Sequence, residues 1–253
     1  MTVVPVLLYH AITARPPDGL EQFTVHPQRF AEHLDVLRKA GRVGLTVSQL
    51  AASLKGRRRL PGLPVLLTFD DGYADFLQAA EELAAARLPS TLYVTTGEIG
   101  SVGKLTRSQL RSLDEAVEVG AHSRTHPRLD EVPPERLRDE VFGSKADLED
   151  ILQRPVHSFA YPHGDHDRVV RQAVIAAGFG SAAAVKNALS HEQDDPFAIA
   201  RVTVTAHTTA RRIEELLHGQ SAPMAWSGER RRTRAYRAYR RMRRRLQREV
   251  EVA

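Results

Sequence analysis

Two acidic side chains stand side by side in Thr68-Phe69-Asp70-Asp71-Gly72, and further along two histidines are spaced His-x-x-x-His in His122-Ser123-Arg124-Thr125-His126. Adjacent carboxylates repel when both are ionised, so a cation or a shared proton belongs beside them. The histidine spacing puts two imidazoles one helical turn apart, which suits zinc or another divalent ion. The first histidine is not followed by glutamate, which separates the pattern from the metalloprotease helix. Each motif also has an ordinary reading: an Asp-Gly turn with a capping aspartate, and two surface histidines in a chain that holds 11. Taken together they offer two imidazoles and a carboxylate to one metal, and Asp70 is then spare. That is the three-ligand-plus-water arrangement of a hydrolytic site, with a carboxylate left over as base. A third run, Ser158-Phe159-Ala160-Tyr161-Pro162-His163-Gly164, leads from a strand into a turn. It reads either as a strand end stopped by proline and glycine or as backbone that presents an N–H to an oxyanion.

All three motifs begin where an apolar run ends. Such runs cover Val3–Tyr9, Val65–Phe69, Thr91–Thr95, Ala116–Val119, Val156–Tyr161, Phe179–Val185 and Ile199–Thr205. Each is short and bounded by Gly, Pro or charge, as buried strands are. Between them lie helical patterns: Phe30, Leu34 and Leu37 ending at Gly41; Ala74 to Arg87; and Pro134 to Leu152, which opens with proline in its first turn. Seven strands alternating with helices predict a mostly parallel α/β sheet, and the length favours a closed or partly closed barrel over an open sheet. In that architecture the C-terminal strand ends carry the site.

The chain has 253 residues and no cysteine, so neither a disulfide nor a thiolate metal site is available. The absence of disulfides suits a reducing compartment. The N-terminus is apolar but lacks a basic segment and a small-residue cleavage site, so it reads as a strand rather than a signal peptide. No apolar run is long enough for a membrane span. These features predict a cytoplasmic protein.

The net charge of +5 is unevenly placed. Residues 228–253 hold 11 arginines against three glutamates, a surplus of eight, so the remainder carries about −3. Composition shifts after Ser221-Ala222-Pro223, which places a boundary near residue 222: a catalytic body over 1–222 and an Arg-rich tail over 223–253. The tail from Glu229 to Val250 has no Gly or Pro and reads as a long helix. Tyr236, Tyr239, Met242 and Leu246 form a sparse apolar stripe on it, which fits an anionic membrane face on the inner side, or else a solvated terminus. A nucleic-acid partner is the rival reading, and the acidic body and the lack of a reading motif argue against it.

The three motifs, in this order, resemble the polysaccharide deacetylase (NodB homology) family of metal-dependent carbohydrate esterases, and the strand–helix rhythm extends the resemblance over most of residues 3–207. The fold it implies is a distorted (β/α)7 barrel. Carried over by position, Asp70 is the catalytic base, while Asp71, His122 and His126 hold a divalent metal, usually zinc, with cobalt, nickel or manganese also suited to these ligands. Ser123 braces the loop between the histidines. Tyr161, Pro162 and His163 support the site, and the His163 backbone meets the acetate oxygen.

Two departures stand out. Many members have arginine after the phenylalanine of the third motif; here that position is Ala160, and Arg201 on the last predicted strand is the candidate to supply the guanidinium. The late leucine-and-histidine motif that donates the general acid resembles Leu216-Leu217-His218-Gly219, yet Ile213, Leu216 and Leu217 follow helical spacing and Gly219 reads as a C-cap. His10, at the end of Val6-Leu7-Leu8-Tyr9-His10, is the other candidate acid. It resembles the N-terminal motif of the poly-N-acetylglucosamine deacetylase branch, and packing at a strand end is its ordinary alternative. The implied activity is removal of N-acetyl groups from amino sugars in a polysaccharide or a glycan precursor, a lipid-linked one included. A barrel that binds carbohydrate without turning it over is the alternative.

Overall fold

Seven strands pair side by side in chain order: β1 (Val6–Tyr9), β2 (Pro64–Phe69), β3 (Ser90–Val94), β4 (Val117–Ala121), β5 (Ser158–Ala160), β6 (Ser181–Val185) and β7 (Ile199–Thr203). Every one of these pairings is parallel, and the ring closes because β7 also pairs with β1, with Val202 opposite Leu7. The result is the seven-stranded barrel expected from the spacing of the apolar runs. The computed structural model describes residues 1–226 together with Tyr239, Arg240, Met242 and Arg243.

Because successive side chains on a strand point to opposite faces, each strand divides its residues between lumen and shell. Val6, Leu66, Tyr93, Ala160, Ala183 and Ile199 form one buried cluster inside the ring. It continues into Val47 and Leu50 of the helix Val47–Leu54, so that helix plugs the end of the barrel where the strands begin. The alternate set, including Leu7, Tyr9, Leu67, Phe69 and Leu92, packs outward against the helices. The helices are α1 (Pro27–Lys39), α2 (Val47–Leu54), α3 (Phe76–Ala85), α4 (Arg107–Arg111), α5 (Pro134–Arg138), α6 (Ser144–Leu152), α7 (Arg168–Ala176) and α8 (Ala210–Leu217). Tyr9, Phe30, Phe69 and Phe76 interlock at centroid distances of 4.9–6.0 Å and fasten α1 and α3 to β1 and β2.

The structure differs from the sequence expectation at several points. The first apolar run is interrupted at Pro5, which has no N–H for a ladder. Val3–Val4 leaves the barrel and pairs antiparallel with Ser190–His191. The segment expected as one helix from Pro134 to Leu152 contains a π-turn at Asp139–Gly143 between α5 and α6. Helices α2, α4 and α7 lie where no helix was expected. His218 caps the C-terminal end of α8 and bonds Glu214 O, followed by Gly219 at φ 75°. Just past residue 222, Met224 bridges Leu189, and Trp226 packs on a cluster of Ala188, Ala200 and Ala225. Most of the tail expected to be helical lies outside the described residues, and Tyr236 and Leu246 are among those. The described Tyr239, Arg240, Met242 and Arg243 are helical. Among the described residues no helix is long and apolar enough to cross a membrane.

Gly120 on β4 shows how tightly the lumen is filled. A Cβ there would lie 2.6 Å from both the Tyr93 ring and Ser158 Oγ. Gly120→Ala is therefore expected to destabilise the protein by about 1–3 kcal/mol through overpacking, read as a lower urea midpoint. An unchanged midpoint would contradict this packing.

Candidate functional site

The motif residues meet at the C-terminal mouth of the barrel because each follows directly on a strand. Asp70 and Asp71 come after β2, His122 to His126 after β4, and Tyr161 to Gly164 after β5. The connections there are bent sharply. Asp71 (φ 73°), Ser123 (φ 62°), His126 (φ 56°) and His163 (φ 58°) all occupy the left-handed region, which costs a residue with a Cβ roughly 1–2 kcal/mol. Four such residues converging on one spot mark a place where geometry is held against local preference.

Asp71, His122 and His126 bring one ligand atom each into a single group. The two Nε2 atoms are 3.2 Å apart, and Asp71 Oδ1 lies 3.6 Å from that of His122 and 3.4 Å from that of His126. A tetrahedral ion with bonds of about 2.0–2.1 Å requires ligand separations of roughly 3.3–3.4 Å, so the triangle has the size of a divalent metal's coordination face. The supporting contacts orient the ligands. His122 Nδ1 bonds Ala160 O at 2.8 Å, which directs the Nε2 lone pair into the triangle. Ser123 Oγ accepts from the His126 N–H at 3.0 Å, while Ser123 O accepts from Thr96 N–H. His163 hydrogen-bonds the His126 backbone, and the two rings sit 4.5 Å apart, edge to face. The Tyr73 hydroxyl donates to Asp71. Burial first, then neighbouring His122, lowers the pKa of His126, so its ring is neutral and able to act as a ligand near pH 7.

Asp70 is placed differently from its neighbour. Its carboxylate is 3% exposed and is clasped by the fully buried Arg201, Nη1 to Oδ1 at 2.6 Å and Nη2 to Oδ2 at 2.8 Å. Arg201 also donates to Thr68 Oγ1 and Ala184 O, and its guanidinium lies 5.4 Å from the Tyr93 ring. Burial would raise the Asp70 pKa, but Arg201, His122 and His10 outweigh it and hold the group at about 2. Ala160, where a family arginine was expected, faces the same lumen as Ile199 and Ala183. A guanidinium does enter the lumen, but from β7 rather than β5.

The remaining candidates occupy the rim. His10 follows β1, with its ring 5.2 Å from that of Phe23 and its buried Nδ1 without a hydrogen-bond partner. Burial lowers its pKa, while Asp70 and Asp71 pull it back up. Tyr161 is fully buried, donates its hydroxyl to Phe197 O and stacks on His166, so its side chain supports the loop from below. Its N–H is committed to Ala183 O. Pro162 is buried beside it. His218, at the end of α8, is exposed. The sequence reading missed Thr96 and Glu140, which reach the loop from His122 to His126 through hydrogen bonds from distant segments.

Comparison with known proteins agrees with this picture. Residues 57–182 match the family model described as polysaccharide deacetylase. YxkH of Bacillus subtilis (strain 168), whose name assigns it to the polysaccharide deacetylases, is 23% identical over 204 residues, which is 80% of this chain and 71% of its own length. The chain is similar in fold to the Streptococcus pyogenes deacetylase PplD in complex with acetate, with a TM-score of 0.78 and 23% identity over 87% of this chain and 98% of that one. It is likewise similar to IcaB from Ammonifex degensii, with a TM-score of 0.72 and 25% identity over 85% of this chain and 98% of that one.

The clasp on Asp70 predicts a pH signature. Because its folded pKa is depressed to about 2, the stability it contributes is present above the unfolded carboxylate range and is lost as pH falls toward 2. Arg201→Met leaves a buried, unpaired carboxylate and is expected to cost about 3–5 kcal/mol at pH 7. In that variant Asp70 protonates at higher pH, so the stability gap to wild type should narrow as pH falls from 7 to 3 in urea titrations. A gap that stays constant over that range would remove the ion pair as its cause.

Proposed function

Given that the chain belongs to the polysaccharide deacetylase family, we propose that it is a metal-dependent hydrolase that removes N-acetyl groups from amino sugars of a polysaccharide or glycan precursor. The observation that carries this reading is the division of labour between adjacent aspartates. Asp71 completes a ligand triangle with His122 and His126, whereas Asp70, with Oδ2 3.6 Å from His122 Nε2, is clasped through both oxygens by Arg201. Such a pair serves hydrolysis: three ligands hold an ion and leave a position open, and a separate carboxylate stands beside it as base.

Asp71, His122 and His126 would hold the divalent ion, zinc in first place. Asp70, held at about 2, is too weak a base to deprotonate bulk water; a divalent ion held by the triangle would narrow that gap by lowering the water's pKa toward about 7 and would polarise the amide carbonyl. Asp70 accepts the proton as water attacks the acetamide carbon. Arg201 keeps its carboxylate oriented and, by engaging one lone pair on each oxygen, leaves others free for that proton. The backbone N–H of His163, turned by its left-handed conformation, meets the developing oxyanion. His10, at the end of β1 and within the field of the two aspartates, delivers a proton to the leaving amine. An amine leaves poorly unless protonated, so this step needs an acid. Burial, aided by Arg201 and His126, lowers the His10 pKa below the ordinary histidine value, with Asp70 and Asp71 pulling the other way.

The acidic body over 1–222 is then the catalytic unit. For the Arg-rich segment over 223–253 the proposed partner is an anionic membrane face, supported by its charge surplus of eight. Arg240, one of its described residues, is paired with Asp130, Glu131 and Asp165 on the rim of the barrel.

The test is acetate release from N-acetylated glucosamine oligomers. Chelation should abolish it in the wild type and added Zn²⁺ or Co²⁺ should restore it. Asp70→Asn should lower kcat by at least about 10³-fold with metal still bound, while His126→Ala should lose the metal itself. Arg201→Ala should depress kcat/KM. Acetate release that survives complete metal removal, or wild-type turnover by Asp70→Asn, would overturn the proposal.

A further inference from the structure

The loop from His122 to His126 is fixed by a carboxylate far along the chain. Glu140 is 2% exposed, and its Oε2 accepts from the Arg124 N–H at 2.9 Å and from the Thr125 N–H at 2.8 Å. Its Oε1 accepts from the Thr125 hydroxyl. Two successive backbone N–H groups converging on one carboxylate form an anion-binding nest, a conformation that residues with left-handed neighbours adopt. The neighbours here are Ser123 and His126, the two left-handed residues of the loop.

The elements around Glu140 are shaped for this contact. It lies in the π-turn Asp139–Gly143, where one wide turn interrupts the helical stretch between α5 and α6. Such turns occur often at functional sites. On the same stretch Asp147 takes the Arg124 guanidinium through both oxygens at 2.9 and 2.8 Å, and Asp139 takes it at 2.6 Å. The guanidinium crosses Gly143 so closely that a Cβ there would lie 2.6 Å from Nε. On the opposite side of the loop Gly97 N–H donates to Arg124 O at 2.8 Å, and a Cβ on Gly97 would meet that oxygen at 2.7 Å. Between the two metal-ligating histidines every residue is thus held by something outside the loop.

We propose that Glu140 is a positioning residue for the metal centre: it holds the backbone of Arg124 and Thr125 so that His122 and His126 present their Nε2 atoms together before any ion arrives. The inference rests on the metal-dependent reading above. It gives Glu140 a role through acceptance of hydrogen bonds rather than through contact with ion or substrate.

The experiment compares Co²⁺ dissociation constants, by dye competition on the full chain, with the thermal midpoints of the metal-free proteins. Glu140→Ala is expected to weaken Co²⁺ binding by about 10–100-fold. Glu140→Gln keeps an acceptor for both N–H groups and should retain affinity within about threefold of wild type. The control is Glu118→Ala. Glu118 also accepts three hydrogen bonds, from one N–H and from the hydroxyls of Ser48 and Thr91, but at the start of β4. It should lower the metal-free midpoint as much as Glu140→Ala does while leaving Co²⁺ affinity unchanged. If Glu140→Ala does not fold, amide exchange in the metal-free wild type decides. Arg124 and Thr125 should exchange as slowly as the barrel strands, and fast exchange overturns the proposal. A loss smaller than tenfold in a folded Glu140→Ala, or an equal loss in Glu118→Ala, also overturns it. A wild type that binds no divalent ion defeats the metal reading itself, and this inference falls with it.

Discussion

The ion pair between Asp70 and Arg201 organises the mouth of the barrel. Two adjacent aspartates cannot both face one small site as free anions, because their repulsion would protonate one of them. The structure separates them. Arg201, fully buried on β7, engages both oxygens of Asp70. The left-handed backbone at Asp71 brings the second carboxylate to His126 as well as His122, while Asp70 Oδ2 lies 3.6 Å from His122 Nε2. A bidentate guanidinium suits the first task because its planar fork matches a carboxylate and does not deprotonate. The small side chains of Ala160 and Ala183 line the lumen beside it. With the arginine supplied from β7, β5 is left to contribute a backbone carbonyl, that of Ala160, which sets the direction of His122.

The barrel supplies the remaining constraint. Closure by the β7–β1 pairing makes the seven strand ends a rigid ring, and the ligands hang from it on very short connections. Rigidity alone does not aim a side chain, however. The left-handed residues at 71, 123, 126 and 163 do the aiming, and three of them are held by specific contacts: Tyr73 on Asp71, Thr96 on Ser123, and Ser123 and His163 on His126. Pre-arranged ligands reduce the ordering that a metal must impose when it binds. Exposure is graded across the site. Asp70 and His122 are almost wholly enclosed at 3% and 2%, while Asp71 and His126 are open at 13% and 27%. The site therefore opens outward on the side of Asp71 and His126.

Much of this was legible in the order of residues. The carboxylate pair, the histidine pair and the Pro-His-Gly turn each follow an apolar run, and a strand-end position at the mouth of a parallel barrel places them together. Arg201 was legible only through the gap that Ala160 leaves against the family pattern. Helices α2 and α4 went unread although Thr46-x-x-Gln49 and Thr106-x-x-Gln109 both form capping boxes in the structure. Those helices are too short for apolar periodicity to stand out. Glu140 was illegible for a different reason. Its partners are backbone N–H groups 15 and 16 positions away, so nothing in its neighbours' side chains marks it. The π-turn that carries it is a deviation from helical register that composition does not encode.

Anomalous diffraction at a metal absorption edge, on crystals grown with Zn²⁺, tests the central claim most directly. The account predicts one strong peak at about 2.0–2.2 Å from Asp71, His122 and His126, with Asp70 unligated and still clasped by Arg201. A peak coordinated by Asp70, or an ion bound away from this triangle, would contradict it.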